Sequence, residues 1–254
     1  MSAAAELLKF YDDFSALLQG WRNLLARPDV VKNPIRRRLV RAYVYRAKDW
    51  AGLGPEDVKR VRTLLEENLR DDPTDGASIL DWLRVARVED ASLDRAAELV
   101  SYWADATGSR EALFYDYVMA MVTVIDGRES MLGQAERKLE RCRVKSSEFG
   151  NRRLRREWLG PGDGLRALVH FSDVDREAEE QEAGVLRRVT GRVTHIRGRQ
   201  AGTVTLSSGI AVFCVPGRAG LEAGRDENAR VSLFVAFTYD GPTAWGLQLL
   251  DGGH

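Results

Sequence analysis

The amino-acid sequence predicts an α+β protein of two domains, in which an all-helical part precedes a small all-β part. Apolar residues follow the 3.6-residue period of a helix up to about residue 145 and the two-residue period of a strand from about residue 185. Hydrophobic residues make up 44% of the chain and charged residues 30%, as in packed globular proteins. We therefore predict a helical-repeat scaffold at 1–145, a linker at 146–184 and a β-barrel at 185–254.

Helical periodicity and helix-start signals define the first domain. Apolar residues three and four positions apart recur at 7–25 and at 113–125, so each set lies on one face of a helix. Asn33 before Pro34, and Ser109 further along, are predicted N-caps because their side-chain oxygens can accept hydrogen bonds from the first backbone N–H groups. We count about seven helices. Helix pairs joined by short turns resemble tetratricopeptide-type repeats, and an irregular helical bundle is the alternative.

The linker at 146–184 is predicted from turn residues and from a change of charge along it. Glycine and proline dominate at 160–164, a composition typical of turns. The first part of the linker, as far as Arg156, is basic, whereas 173–182 carries six acidic residues against one arginine. The acidic stretch is predicted to be a solvated helix or a flexible tether.

Five short segments after residue 185 predict the strands of a small barrel. The clearest is the fourth, where Val231, Leu233, Val235 and Phe237 alternate along one face. Glycine-containing turns separate the segments, and a long loop lies between the third and the fourth. This pattern matches a five-stranded barrel of the OB type.

The order of residues in the barrel segment resembles that of cold-shock domains, the small OB barrels that bind single-stranded RNA and DNA. The matching stretches, about a quarter of the chain with their loops, are Gly191-Arg192-Val193-Thr194-His195-Ile196, Gly202-Thr203-Val204, Val212-Phe213-Cys214-Val215 and Gly241-Pro242-Thr243-Ala244. The resemblance implies that bases stack on aromatic rings of the second and third strands. Phe213 stands at one of those ring positions, and His195 stands at the tryptophan position of the first strand.

The whole arrangement, helical repeats followed by a terminal OB barrel, also has a resemblance. It is similar to the C-terminal ends of signal-transducing NTPases of the STAND type and of sterile-alpha-motif antiviral factors. Many prokaryotic relatives of these proteins are linked to defence against phage. The resemblance implies a role in a bacterial antiviral defence system.

Basic residues near the barrel are the other candidate binding residues. Arginine predominates among them, and its planar guanidinium binds phosphate through two hydrogen bonds and also stacks on bases. The predicted nucleic-acid-binding set is Phe213, His195, Arg192, Arg197, Arg199, Arg137, Arg141, Lys145, Arg152, Arg153, Arg155 and Arg156. The alternative is that these cations lie on solvated helix faces and pair with neighbouring acids.

The sequence contains no cluster of residues that predicts catalysis or a metal centre. The three histidines and the two cysteines stand apart, whereas a zinc site needs ligands grouped at short spacings. His170 near Ser172 and Asp173 does not predict a triad, because a triad is defined by geometry in space. We therefore predict no catalytic residue, no metal and no cofactor, and we expect Cys142 and Cys214 to be buried as small apolar side chains.

Charge and apolar content exclude several classes of protein. The 38 basic and 38 acidic residues balance, so a histone-like binder with a basic excess over the whole chain is excluded. Charges interrupt every apolar run before it reaches the roughly 18 residues that a membrane span needs. Two cysteines are too few for a disulfide framework, which favours a reducing cytoplasm.

The predicted function is that of a non-enzymatic cytoplasmic binding protein. In this interpretation the OB barrel and the adjacent arginines contact RNA or single-stranded DNA, and the helical scaffold docks a protein partner. The alternative is a protein–protein interaction adaptor whose barrel no longer binds nucleic acid. The remaining ring positions of the cold-shock pattern, which favour this alternative, are held by Ala201, Thr203, Val215 and Pro216.

Overall fold

A computed structural model of the chain describes residues 3–89, 92–152, 154–170 and 186–250, without the side chains of 3–13, 155 and 156. In this part of the chain, seven α-helices are followed by seven β-strands, and five of the strands close into a barrel. The predicted α+β class, with helices ahead of a barrel, is therefore confirmed.

The chain forms two compact units, 1–89 and 90–254. The boundary predicted from the sequence lies near residue 145 instead, so the last three described helices belong with the barrel and not with the helices before them. Two strands also lie inside the predicted linker, β1 at Arg155–Leu159 and β2 at Leu168–His170. The difference arises because hydrophobic period reports the type of an element and not the element against which it packs.

The first unit contains four helices in the described residues. They are α1 (Ala3–Leu25), α2 (Lys32–Ala47), α3 (Pro55–Asp71) and α4 (Gly76–Glu89). Apolar side chains at helical spacing form the core, among them Leu39, Val40, Val61, Leu65, Ile79 and Leu83. Pro55 occupies the start of α3, with Glu56 and Asp57 in the first turn, where the helix dipole favours acids.

A buried polar network joins α2, α3 and α4. The buried Arg36 forms ion pairs with Glu67 at 2.9 Å and with Asp71 at 2.6 Å. The fully buried Asn68 of α3 donates a hydrogen bond to the hydroxyl of Ser78 on α4 at 3.1 Å. Because a buried guanidinium is costly without partners, these bonds hold the three helices together.

The second unit contains three helices and then all the described strands. They are α5 (Leu93–Thr107), α6 (Arg110–Ile125), α7 (Leu132–Ser146), β1, β2, β3 (Arg188–Arg197), β4 (Ala201–Leu206), β5 (Ala211–Cys214), β6 (Arg230–Thr238) and β7 (Gly241–Leu249). The strand order is β2-β1-β6-β3-β4-β5-β7, and β7 also pairs with β6, so β3 to β7 close into a barrel. Among the described strands every pairing is antiparallel except that of β5 with β7.

The two predicted N-caps differ in outcome. The Ser109 hydroxyl accepts a hydrogen bond from the backbone N–H of Ala112 at 3.3 Å at the start of α6, which confirms that prediction. The prediction for Asn33 is wrong, because α2 begins at Lys32. The Asn33 side chain instead accepts a hydrogen bond from Arg36 at 3.0 Å, since that guanidinium lies one turn along the same helix.

Helix α6 is the packing centre of the second unit. All its residues from 112 to 124 are buried, which confirms the predicted apolar stripe as far as residue 122. The rings of Phe114 and Tyr239 lie 4.8 Å apart, and the Tyr117 hydroxyl donates a hydrogen bond to the Thr238 carbonyl. Helix α6 is therefore anchored on the turn between β6 and β7.

Removing the Phe114 ring tests this packing, because the ring is only 1% exposed and its loss leaves a cavity. We expect Phe114→Ala to lower the free energy of unfolding by roughly 3–5 kcal/mol. Urea denaturation followed by circular dichroism measures the change. Tyr102 on α5 is 56% exposed and supplies the control, so Tyr102→Ala should change the free energy of unfolding by less than about 0.5 kcal/mol. Equal, small changes for both variants would place Phe114 outside the core.

Candidate nucleic-acid interface

Three side chains form a row across the outside of the barrel. His195 on β3 lies opposite Thr203 on β4, which lies opposite Phe213 on β5. Residues paired in this way project from the same face of a sheet. The alternating residues Val204 and Val212 are fully buried in the barrel core, so the row faces outward. The structure thus brings the predicted site residues His195 and Phe213 onto one face.

A groove of about 400 Å³ lies beside Phe213 on this face. Its lining residues are Arg143, Phe213, Thr238, Asp240, Pro242, Thr243 and Trp245. Thr243 on β7 pairs in parallel with Phe213, and Trp245 follows two positions later on the same face of β7. The groove therefore combines two aromatic rings, those of Phe213 and Trp245, with the guanidinium of Arg143.

The turn between β6 and β7 holds Arg143 in the groove. Arg143 Nε donates a hydrogen bond to the Asp240 carbonyl at 2.6 Å. Gly241 has a φ of 121°, and a Cβ at this position would lie 2.9 Å from Arg143 Nη2 and 3.2 Å from the Leu139 side chain. Glycine therefore permits both the left-handed backbone and the close approach of α7.

Two neighbours fix the ring of Trp245. It packs edge-on against Trp158 of β1, with ring centroids 6.3 Å apart and an interplanar angle of 83°. Trp158 is itself buried against Phe234 and Ala236 of β6. The guanidinium of Arg218 lies 5.1 Å from the centroid of the Trp245 ring, which is a cation–π distance.

The groove and the cavity that adjoins it together carry two arginines and one aspartate. Arg143 lines it, and Arg218 lines a smaller adjoining cavity of about 200 Å³ that shares the Trp245 wall. The carboxylate of the groove belongs to Asp240, which forms an ion pair with Arg152 at 2.7 Å. Guanidinium groups beside aromatic faces suit a ligand that has both phosphates and flat rings.

The predicted cations of α7 lie on a different groove, of about 610 Å³. It is lined by Gly108, Leu113, Arg137, Glu140, Arg141, Val144, Lys145 and Glu148. Arg141 forms an ion pair with Asp105 at 2.9 Å, and Lys145 forms one with Glu148 at 2.9 Å. The structure therefore does not bring Arg137, Arg141 and Lys145 to the Phe213 groove. Pairing of two of them with acids is what the alternative interpretation predicts.

The other predicted cations are distributed around the barrel. Those exposed on β3 and on the turn after it are Arg192, Arg197 and Arg199. Arg192 donates a hydrogen bond to the Asn228 carbonyl at 3.1 Å. Arg152 borders the groove through its ion pair with Asp240. Outside the described residues lie Arg153 and the side chains of Arg155 and Arg156.

Sequence reasoning missed Arg143, Thr243 and Trp245 as site residues. Thr243 and Trp245 reach the groove through the parallel pairing of β5 with β7, which joins strands that are not consecutive in the chain. Such a pairing has no local signature in the sequence. For Arg143 the sequence did contain a signal. Arg143 lies two positions beyond Arg141 and therefore about 200° around the helix, which places it on the side of α7 opposite to Arg141.

The described residues contain no feature of a metal centre or of a membrane span. Within those ranges, no three His, Cys, Asp or Glu side chains are grouped so that they could hold a metal ion. None of the described helices combines the length and the apolar character that crossing a membrane requires. Cys142 and Cys214 are both buried, which confirms the prediction, and burial raises the pKa of each thiol to about 11.

Comparison of the chain with protein-family models, with curated proteins and with solved structures found no match. The functional interpretation of the groove rests on its own geometry and chemistry.

The raised thiol pKa predicts slow alkylation of the folded protein, because the thiolate is the reactive form. A pKa of about 11 leaves roughly one thiol in a thousand ionised at pH 8. We expect iodoacetamide to label Cys142 and Cys214 slowly in the folded protein, faster as the pH rises towards 11, and rapidly after unfolding in guanidinium. Intact-mass spectrometry counts the labels. Two labels within minutes at pH 8 without denaturant would contradict the burial of these thiols.

Proposed function

We propose that this chain is a non-enzymatic binding protein whose barrel binds single-stranded RNA or DNA in the groove of Phe213 and Trp245. The observation that carries the proposal is the presence of two aromatic rings and a guanidinium in one open groove. A ring that stacks on a base contributes roughly 1–3 kcal/mol of binding free energy. A guanidinium binds phosphate through paired hydrogen bonds.

The strand order supports an OB-type barrel. Its strands follow one another around the barrel as β3-β4-β5-β7-β6, with β6 closing on β3 and with the parallel pair between β5 and β7. OB barrels bind oligonucleotides on the face of their second and third strands, which are β4 and β5 in this chain. Phe213 lies on β5, at a ring position of the cold-shock pattern, and His195 lies in the same row.

In this proposal the cations around the two rings contact the phosphates. Arg143 and Arg218 stand beside the groove and beside the Trp245 ring. Arg192, Arg197 and Arg199 extend the basic surface along β3 and its turn. A single strand that stacks a base on Phe213 would have cations on two sides. Because only an unpaired base can stack on this ring, the proposed ligand is a short stretch of unpaired nucleotides.

A protein–protein interaction adaptor is the second candidate function, and the groove on α7 favours it. Val144 is 64% exposed there beside Leu113, and exposed apolar surface rimmed by charges is typical of interaction sites. In this reading the helical part, with a tetratricopeptide-like character, docks a protein partner. A role in a bacterial antiviral defence system is a proposal that rests on the order of helices and barrel along the chain.

Fluorescence anisotropy with labelled oligo(dT) and oligo(rU) tests the nucleic-acid proposal. We expect Phe213→Ala to weaken binding by roughly 5- to 150-fold, the equivalent of about 1–3 kcal/mol, at any salt concentration. Phe213→Tyr keeps the ring and should keep the affinity. Tyr102→Ala removes an exposed ring from α5 and should leave the affinity unchanged.

Arg143→Ala tests the phosphate contact separately from the ring. We expect it to flatten the slope of log affinity against log salt by about 0.7, the value for one contact on a single strand. Unchanged affinity in Phe213→Ala would remove the ring from the site. Failure of the wild-type protein to bind either oligomer at tens of micromolar in low salt would reject the proposal and favour the adaptor.

A further inference from the structure

The first unit carries a strongly basic stretch of chain. Residues 14–48, which form the end of α1, the connection and α2, contain nine lysines and arginines against a single aspartate. Three of these cations are neutralised within the unit. Arg27 pairs with that aspartate, Asp29, at 2.7 Å, whereas Arg36 and Arg46 pair with acids of α3. The other six form no ion pair with any side chain that the structure describes.

Part of the excess charge lies along one exposed side of α2. Arg38, Arg41 and Lys48 are exposed, and Tyr45 among them is 73% exposed. Spacings of three and four residues place Arg38, Arg41 and Tyr45 on one side of α2, and Lys48 follows directly after the last residue of the helix. These three residues form a row about 10 Å long, and we call the row, together with Lys48 at the end of the helix, the α2 stripe.

Little neutralises the α2 stripe. None of its three cations forms an ion pair with any residue that the structure describes. The Arg38 guanidinium lies 5.0 Å from the Trp21 ring of α1, a cation–π contact that orients the group and keeps its charge. The charge of Arg41 interacts electrostatically with the carboxylate of Asp81 on α4, but the hydrogen bond that this carboxylate accepts comes from Arg84.

We propose that the α2 stripe binds the phosphate backbone of nucleic acid, whatever the base sequence. Protein–nucleic acid interfaces are much more positively charged than protein–protein interfaces, whose buried centres are depleted of charged residues. The stripe presents three cations around one ring, two of them arginines that can bind phosphate through paired hydrogen bonds. This composition favours a polyphosphate over an acidic polypeptide.

The proposal does not rest on the barrel groove. Binding to duplex DNA distinguishes the α2 stripe from that groove by experiment. In duplex DNA the bases are already stacked and paired, so a ring such as Phe213 has no base to bind, whereas the phosphates remain accessible. Anisotropy titrations over a range of salt concentrations, with a labelled duplex of about 20 base pairs, therefore report on the stripe.

The test compares two triple variants that remove the same charge. We expect Arg38→Ala/Arg41→Ala/Lys48→Ala to reduce the slope of log affinity against log salt by about 2.7, since each contact on a duplex contributes about 0.9. The control is Arg27→Ala/Arg60→Ala/Arg128→Ala, in which every arginine removed is ion-paired with an acid. The control and Phe213→Ala should both bind the duplex as the wild type does.

Three results would overturn the assignment of the α2 stripe. The first is duplex binding that is unchanged in the stripe variant or equally weakened in the control. The second is a wild-type protein that does not bind the duplex in low salt. The third is displacement of the duplex by poly-glutamate at an equal concentration of charge, which would identify an acidic polypeptide as the ligand. Circular dichroism verifies that each variant is folded.

Discussion

The second unit depends on the contact between helix α6 and the turn that joins β6 to β7. Tyr117, in the middle of a buried helix, donates its hydroxyl to the Thr238 carbonyl, and Phe114 packs against Tyr239 in the same turn. Burial raises the pKa of Tyr117 well above its usual value, so the hydroxyl stays protonated and remains a donor at any ordinary pH. Separating helix from barrel would leave a buried donor and a buried acceptor without partners, which is costly.

The same contact determines the shape of the candidate groove. Arg143 of α7 reaches the groove because it donates a hydrogen bond to a carbonyl of that turn. On another side of α6, Tyr115 donates a hydrogen bond to the fully buried Glu157 of β1 at 2.7 Å. This bond ties β1 to the helix, and β1 carries Trp158, on which Trp245 packs. Helix α6 therefore supports both the guanidinium and one of the two rings of the groove.

The chain has a net charge of zero and still has basic surfaces, because its acidic side chains form ion pairs with some of the basic residues and not with others. In the first unit, Arg36 consumes two carboxylates of α3, and in the second unit Arg141 and Lys145 of α7 are paired with acids. The α2 stripe keeps more of its positive charge, whereas Arg143 in the groove beside Phe213 lies 4.0 Å from Glu140 in a looser ion pair. Ion pairs with acids, and not the number of arginines, thus separate the basic stretches that are neutralised from those that can hold a polyanion.

The sequence by itself determined the α+β fold class, the order of helices and barrel, the apolar stripe of α6 and the Ser109 cap. These features depend on side-chain periodicity and on hydrogen bonds between residues close in the chain. Only the tertiary structure decided that α5 to α7 belong with the barrel, that β1 and β2 join its sheet, and that Trp245 and Arg143 meet Phe213. The bond from Tyr117 to Thr238 joins residues 121 positions apart. A contact of this kind stabilises both partners but imposes no period on either segment, so its consequences appear only when the chain is folded.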